Sequence, residues 1–446
     1  MGCFTVTCLR RFGRLSTINR EIGIGREVFG LNVLLVSLEG PPYLVGGVGR
    51  HVDDLAHELE ERGHRVDVLS ACPGRGRASA THLTQRLTTW LGPVCPTPTT
   101  PDQWYLAGNF GMLSALNEMD PRWEVVHLHD RASWPTALAA CRRSGAPLVF
   151  TAHSLAPEPL LDKRDREYYW HLERESLLSS EVGIAVSRWI ATELSSRHAR
   201  PDILVVPNGV RLSGFPFRPR IPNRGPKVLT YLGRLTWKKG LDHLLPALVG
   251  LDRLIGAWHM VVAGIGPEYD ALLRLAGSLG LSSQMTFLGE LAHSEVPALF
   301  SDTDLAVFPS VSEAFGLTVI EAMACGALTA TSRGTGIGTI FTAGVEGYQF
   351  DVADEADIRR TLAEALTMSP EREQAMAHAA RQLVEQQYAW TNIAPMIEGA
   401  YGRAIERGRT PHVPTARPVG EERAAWYQAT HGLQWIPRKT HDRSQS

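Results

Sequence analysis

At 446 residues, 44% of them hydrophobic and 21% charged, the chain is too long for one ordinary core and has a composition typical of soluble globular proteins. Its net charge of −2, from 45 Lys and Arg against 47 Asp and Glu, argues against nucleic acid as the main partner and leaves only local basic patches. The six cysteines (Cys3, Cys8, Cys72, Cys95, Cys141 and Cys325) form no C-x-x-C pair, so neither a zinc site nor a disulfide framework is indicated and a reducing, cytoplasmic compartment is expected.

No apolar run approaches the roughly 20 residues needed to span a bilayer; peripheral membrane contact stays open. Arg10, Arg11 and Arg14 precede no continuous apolar stretch, so no signal peptide is expected. Val6 stands where a myristoylation signal needs Ser or Thr.

Residues 1–29 have no clear periodicity and read as an extension. The first strand is 31–38. It leads into a glycine-rich turn, Gly46-Gly47-Val48-Gly49, and then a helix whose one face carries Val48, Val52, Leu55, Ala56 and Leu59, stopped at Gly63. A strand at 65–69 completes a βαβ unit, which implies a parallel sheet. Between 71 and 124 the pattern supports only a helix near 112–119. The alternation resumes with strands at 125–128, 147–151, 182–186 and 203–206. Helices lie at 133–143, 165–178 and 188–197, the last capped by Ser187. A proline-rich stretch, 215–226, has linker composition.

A second βα series follows at once: strands at 228–232, 260–263, 285–288, 305–308, 328–331 and 347–350. A helix runs from Gly240 through Leu251, another opens after Gly264-Ile-Gly266-Pro267, and Ser294 is expected to cap a short helix to Phe300. Helices close the series at 355–368, 370–386 and 390–407. The expected organisation is an extension (1–29), a Rossmann-like acceptor-side domain (30–214), a linker (215–226), a Rossmann-like nucleotide-sugar domain (227–408) whose last helix could cross back, and a tail (409–446). The fold class is α/β, two doubly wound domains whose ligand-binding rims face one cleft.

The most informative stretch is 309–326. A buried strand feeds a loop with Glu313, then a helix with apolar residues at Leu317, Ile320, Met323 and Ala324, ended by Gly326. Free N–H groups at that helix start form an anion site. Glu313 before it and Glu321 inside it suit a ligand with a polyol at one end and a phosphate at the other, such as a sugar nucleotide. A solvated Glu on a helix's wet face is the plainer alternative. Arg234 and Lys239 follow the end of the first strand of the second series. Cations at a helix start oppose its dipole, so an anionic ligand explains them better than stability does. The glycines at 46, 47 and 49 do not match G-x-G-x-x-G, and no acid follows the second strand, which disfavours a nicotinamide enzyme. His153 ends a strand at the rim. His127 and His129 alternate along theirs and read as structural support, and His51 could face the glycine loop or solvent.

Taken together, Gly46-Gly47, Thr151-Ala-His153, Val205-Val-Pro-Asn-Gly209, Gly233-Arg234 with Lys239-Gly240, Ala263-Gly-Ile-Gly-Pro267 and the E-x7-E segment Glu313 to Glu321 resemble the GT-B-fold retaining glycosyltransferases of family 4 over residues 31–400. The resemblance implies that Arg234 and Lys239 hold a donor diphosphate, helped by the helix start at Gly316, Leu317 and Thr318. It implies that Glu321 binds ribose, Glu313 the transferred sugar, and that Gly47 borders the diphosphate while His153 touches the sugar. Gly46, Gly266 and Phe315 complete the implied donor set. Implied too are retention by front-face attack, in which the leaving phosphate takes the acceptor's proton, no metal, no cofactor beyond a nucleotide-sugar co-substrate (a UDP-sugar first), and a hydroxyl acceptor that the sequence does not identify. The chain departs from the family pattern at Thr339, where an acid is common, at Leu328, where Pro is usual, and at Leu44-Val45 before the glycine pair, where glycogen and starch synthases carry Lys. A sugar-nucleotide epimerase or phosphorylase on the same fold, or a non-catalytic nucleotide-sugar-binding protein, are the alternative readings.

Overall fold

The computed structural model describes residues 30–42, 46–73, 79–94, 101–156, 163–218 and 225–409. The expected extension, part of the expected linker and the tail beyond 409 lie outside the described residues.

The first βα series runs β1 (Asn32–Ser37), α1 (Gly47–Glu61), β2 (Arg65–Pro73), β3 (Ser79–His82), β4 (Leu87–Val94), α2 (Pro101–Glu118), β5 (Val125–His129), α3 (Trp134–Ser144), β6 (Leu148–Ala152), α4 (Lys163–Leu178), β7 (Val182–Ala185), α5 (Arg188–His198) and β8 (Leu204–Val205). Its strands are ordered β3-β4-β2-β1-β5-β6-β7-β8 and pair in parallel except β3 with β4. The central strands are apolar runs because helices cover both faces of the sheet. The register sets Ser37 opposite His129 and His129 opposite Thr151, so the residues just beyond them share one rim.

The second series runs β9 (Lys227–Leu232), α6 (Leu241–Leu248), α7 (Asp252–Ile255), β10 (Trp258–Ala263), α8 (Tyr269–Ser278), β11 (Met285–Gly289), α9 (Val296–Ser301), β12 (Leu305–Phe308), α10 (Leu317–Cys325), β13 (Leu328–Ser332), β14 (Tyr348–Phe350), α11 (Glu355–Leu366), α12 (Pro370–Leu383) and α13 (Trp390–Arg409). Its all-parallel sheet has the order β11-β10-β9-β12-β13-β14.

Several local expectations are corrected. The segment between 71 and 124 holds a β-hairpin and a helix that starts at Pro101, well before 112. Its apolar residues are spread around the axis, and Leu106 and Phe110 are exposed, so no helical stripe stands out. Strand β3 is exposed along its whole length and shows no apolar alternation. The helix expected to reach Leu251 stops at Leu248 and restarts at Asp252, with Gly250 in a left-handed turn between (φ 77°). The cap near residue 294 comes from Glu295, whose carboxylate accepts the Ala292 N–H at 2.9 Å, not from Ser294. The helix expected to reach 386 passes at Val384 into a π-helical turn ending at Tyr388.

That turn redirects the chain. Helix α13 leaves the second sheet and packs on the first: Trp390, Ile393, Ile397, Ala400 and Tyr401 form one buried cluster with Val33 and Leu35 of β1 and Val52, Leu55 and Leu59 of α1. Polar contacts fix its register. Glu398 takes two hydrogen bonds at 2.7 Å from Arg62 and one at 3.0 Å from His64. Arg407 donates to the Glu181 carbonyl at 2.6 Å. Trp390 is 2% exposed and fills the space above Gly209, so Trp390→Ala is expected to cost about 3–5 kcal/mol of stability. Urea unfolding measures this, and an unchanged midpoint would mean that the helix does not dock as described.

Candidate active site

The rim of the second sheet is built by loops that touch. After β9 the chain turns through a 3-10 segment, Trp237–Lys239. The Lys238 carbonyl accepts the N–H groups of Val311 (2.8 Å) and Ser312 (3.2 Å), joining this loop to the one after β12. A Cβ on Gly240 would lie 2.0 Å from the Pro309 carbonyl, and its φ of 66° is left-handed, so only glycine allows this approach. The consequence is that Lys239 meets Glu313 directly: Nζ donates to Oε2, with both side chains half-buried. Gly266 packs against the Leu235 backbone, whose N–H donates to the Ile265 carbonyl at 2.9 Å. Gly316 opens α10 at φ 106°, and Gly326 closes it in the expected left-handed conformation. Leu317 and Thr318 form the first turn, and buried Phe315 stacks edge-on against Tyr388 at 5.6 Å.

The rim of the first sheet faces these loops. Gly46 caps α1, and a Cβ on Gly47 would sit 3.3 Å from Leu317 Cδ1, so the glycine turn abuts the start of α10. Glu39, two residues past β1, lies beside this helix start: its Oε2 would be 3.2 Å from a Cβ on Gly46. Burial pushes the Glu39 carboxyl up, and Arg234 across the cleft opposes that rise. Asp130, just past β5, is held at φ 58° and ψ 163°, a strained geometry for a residue with a side chain. Its carboxylate accepts from Arg131 N (3.1 Å), Arg131 Nη1 (3.2 Å) and Ser154 Oγ (2.8 Å).

His153 is buried, and its Nε2 shares a hydrogen bond with His129 Nδ1 at 3.1 Å. Burial holds His153 down at about 4, with Asp130 opposing, so the ring is neutral near pH 7. His51 does not face solvent: it is buried, with its ring 4.6 Å from His153, 5.3 Å from His129 and 5.2 Å from Trp390. His127 is a support, bonded to Tyr401 (2.9 Å) and Thr151 (2.7 Å). Linear spacing suggested no metal-ligand cluster, yet the fold gathers one nitrogen each from His51, His129 and His153 within 4.8 Å of one another.

Glu321 does not lie on a wet helix face. It is buried, 7% exposed, and burial pushes its carboxyl up to about 7, with Arg50 of α1 opposing and Asp54 adding to the rise. Thr339, where an acid is common, ends a 3-10 turn and donates to the Gly336 carbonyl at 2.7 Å.

Residues 45–213 match the family described as glycosyltransferase family 4, and residues 216–383 match the glycosyl transferases group 1. The glycogen synthase of Mycobacterium tuberculosis is 30% identical over 413 residues, covering 85% of this chain and 97% of that protein. The chain belongs to the group 1 glycosyltransferases. In structure it is similar to a sucrose-phosphate synthase from Thermosynechococcus elongatus, with a TM-score of 0.72, 20% identity, and 82% and 96% of the two chains covered. An Anabaena protein crystallised with UDP and glucose superposes with a TM-score of 0.65 at 18% identity, covering 82% and 98%. Both likenesses are to the two-sheet GT-B architecture.

Within this glycosyltransferase the sequence-derived residues fall into contacting groups: Lys239 with Glu313, Gly47 with Leu317, and His153 with His129 and His51. Three residues were missed or underweighted. Glu39 lay in a Gly-Pro-rich turn, Arg50 on a helix read only for its apolar face, and Asp130 beside two histidines read as support. The strain at Asp130 and the electrostatic influence of Arg50 on the buried Glu321 carboxyl are visible only in three dimensions.

The raised Glu321 carboxyl has a stability consequence. Its ordinary value is 4.5, and it titrates at about 7 in the folded chain. Below the lower value both states are protonated and there is no penalty. Between pH 4.5 and about 7 the unfolded chain ionises this group while the folded chain holds its proton, so stability falls by about 3 kcal/mol across that window. Glu321→Gln is therefore expected to raise the melting temperature of the ligand-free protein at about pH 8 and to leave it unchanged near pH 4. Thermal unfolding at the two pH values checks this, and equal effects at both would refute it.

Proposed function

We propose that the chain transfers a hexose from a nucleotide-diphosphate sugar, UDP-sugar first, to a hydroxyl acceptor, with retention of anomeric configuration and without a metal. The observation that carries this reading is the Lys239–Glu313 ion pair beside the start of α10. In the free protein the two charges satisfy each other. A donor would separate them: its diphosphate takes Lys239, and its sugar hydroxyls take Glu313.

The chemistry follows from charge. Breaking the glycosidic bond to phosphate leaves negative charge on the departing nucleotide. In this reading Arg234, Lys239 and the N–H groups at Leu317 and Thr318 would receive that charge, a preorganised form of electrostatic stabilisation. Glu321 lies in the same helix, deeper in the cleft, where ribose hydroxyls would give its buried carboxylate the hydrogen bonds it lacks. His153, neutral near pH 7, can hydrogen-bond a sugar hydroxyl without adding charge. The leaving phosphate oxygen then takes the acceptor's proton, so no protein base is required. The bound UDP of the Anabaena neighbour supports uridine as the first base to test.

Lys239→Ala and Glu313→Ala are expected to lower kcat by about 100-fold or more with unchanged circular dichroism. Assays with UDP-, ADP- and GDP-glucose against an acceptor library, with NMR of the product anomer, read both rate and stereochemistry. Full activity in both variants would sink the reading. Sugar release without acceptor, or an inverted product, would favour an epimerase-like or inverting reaction instead.

A further inference from the structure

The histidines at the first rim have more binding capacity than the transfer reaction uses. Among the described residues His51 has no hydrogen-bond partner on either ring nitrogen, and His129 has only His153, through Nδ1. A buried imidazole must carry at least one N–H, and leaving it unpaired costs about 1–3 kcal/mol. Both side chains are more than nine-tenths buried, and both rings face His153. These orphaned atoms are not explained by packing, since any apolar residue of similar size would fill the space without the penalty.

We propose that His51, His129 and His153 form a site for a borderline divalent transition ion of the Zn2+ class, and that occupancy withdraws His153 from the donor sugar and inhibits transfer. Three elements supply one nitrogen each: α1, the last residue of β5, and the segment just past β6. The three nitrogens lie within 4.8 Å of one another. Zinc–nitrogen bonds of about 2.0–2.1 Å at tetrahedral angles set ligand atoms about 3.4 Å apart. The closest pair, His129 Nδ1 to His153 Nε2 at 3.1 Å, is already near that spacing.

The chemistry selects the ion. Three imidazoles with no carboxylate among them suit zinc, nickel or cobalt, and not the hard oxygen-seeking Mg2+ or Ca2+. The proton now shared between His129 and His153 moves to the far nitrogen of its ring on binding, so the rings lose no net proton. The His127 ring lies 4.1 Å from that of His129 and is itself tied to Thr151 and Tyr401, which fixes one face of the site. The carboxylate of Asp130 is close enough to act on His153 and supplies nearby negative charge.

Equilibrium dialysis of the full chain against Zn2+, followed by metal analysis, is expected to give about one bound ion per chain. His51→Ala and His129→Ala, with fold checked by circular dichroism, are expected to weaken that binding by more than about 100-fold; His51→Gln replaces the alanine variant if the latter does not fold. Wild-type protein that binds no ion, or variants that bind as well as wild type, would overturn the site. Inhibition in proportion to occupancy, relieved by excess donor, is the expected kinetic result; full turnover with the ion bound would overturn the inhibitory role. That kinetic part rests on the transfer reaction proposed above. Dialysis does not, so failure of one reading is distinguishable from failure of the other.

Discussion

The docking of α13 on the first sheet is the contact on which the site's geometry rests. One continuous stretch touches both rims. Tyr388, at the end of the π-helical turn, donates to the Ile340 carbonyl at 2.7 Å and stacks on Phe315 just before α10. Two residues on, Trp390 lies against His51 and Gly209, and Tyr401 bonds His127. Rings from this stretch therefore touch both the approach to the donor helix and the histidine cluster. The burial is apolar, and the Arg62–Glu398–His64 contacts select a single register for it.

Given that frame, the cleft concentrates charges that the protein alone does not balance well. Glu39 and Glu321 are driven toward the protonated state by burial, and Lys238 is pushed down by burial, with Arg131 adding to the effect. Asp130 is held in a backbone conformation that an unconstrained residue would leave. Each is a local loss of stability, and each lies at a rim. Their clustering is the physical signature of a surface shaped for a ligand that carries its own charges and hydroxyls.

Much of this was legible before the fold was known. Apolar runs such as Leu305–Phe308 and the glycine after α10 state their structure locally, because a strand buried on both faces and a helix end with a left-handed residue leave unmistakable composition. The pairing of Lys239 with Glu313 was implicit in two motifs far apart in sequence. The hairpin of β3 and β4 was not legible, since its outer strand is polar and exposed and its partner alternates only partly. Nor was the burial of Glu321 or His51. His51 sits on an amphipathic helix at a position that a solvent-facing side chain would equally occupy, and Glu321 is the one acid in a helix buried from Val319 to Cys325. The histidine cluster escaped because its three members are separated by dozens of residues and meet through strand register.

The crossing of α13 also has a consequence for how the chain is made. The face of α1 and β1 that carries Val33, Leu35, Val52 and Leu55 is covered by residues 390–404, more than three hundred positions downstream. During synthesis that apolar surface is complete long before its cover leaves the ribosome. The nascent first lobe must therefore persist with an open hydrophobic face while the whole second lobe is made, a state favourable to chaperone capture or self-association. Helix α13 thus acts as a late-arriving seal, and the first lobe cannot be mature until residues 390–404 have been translated.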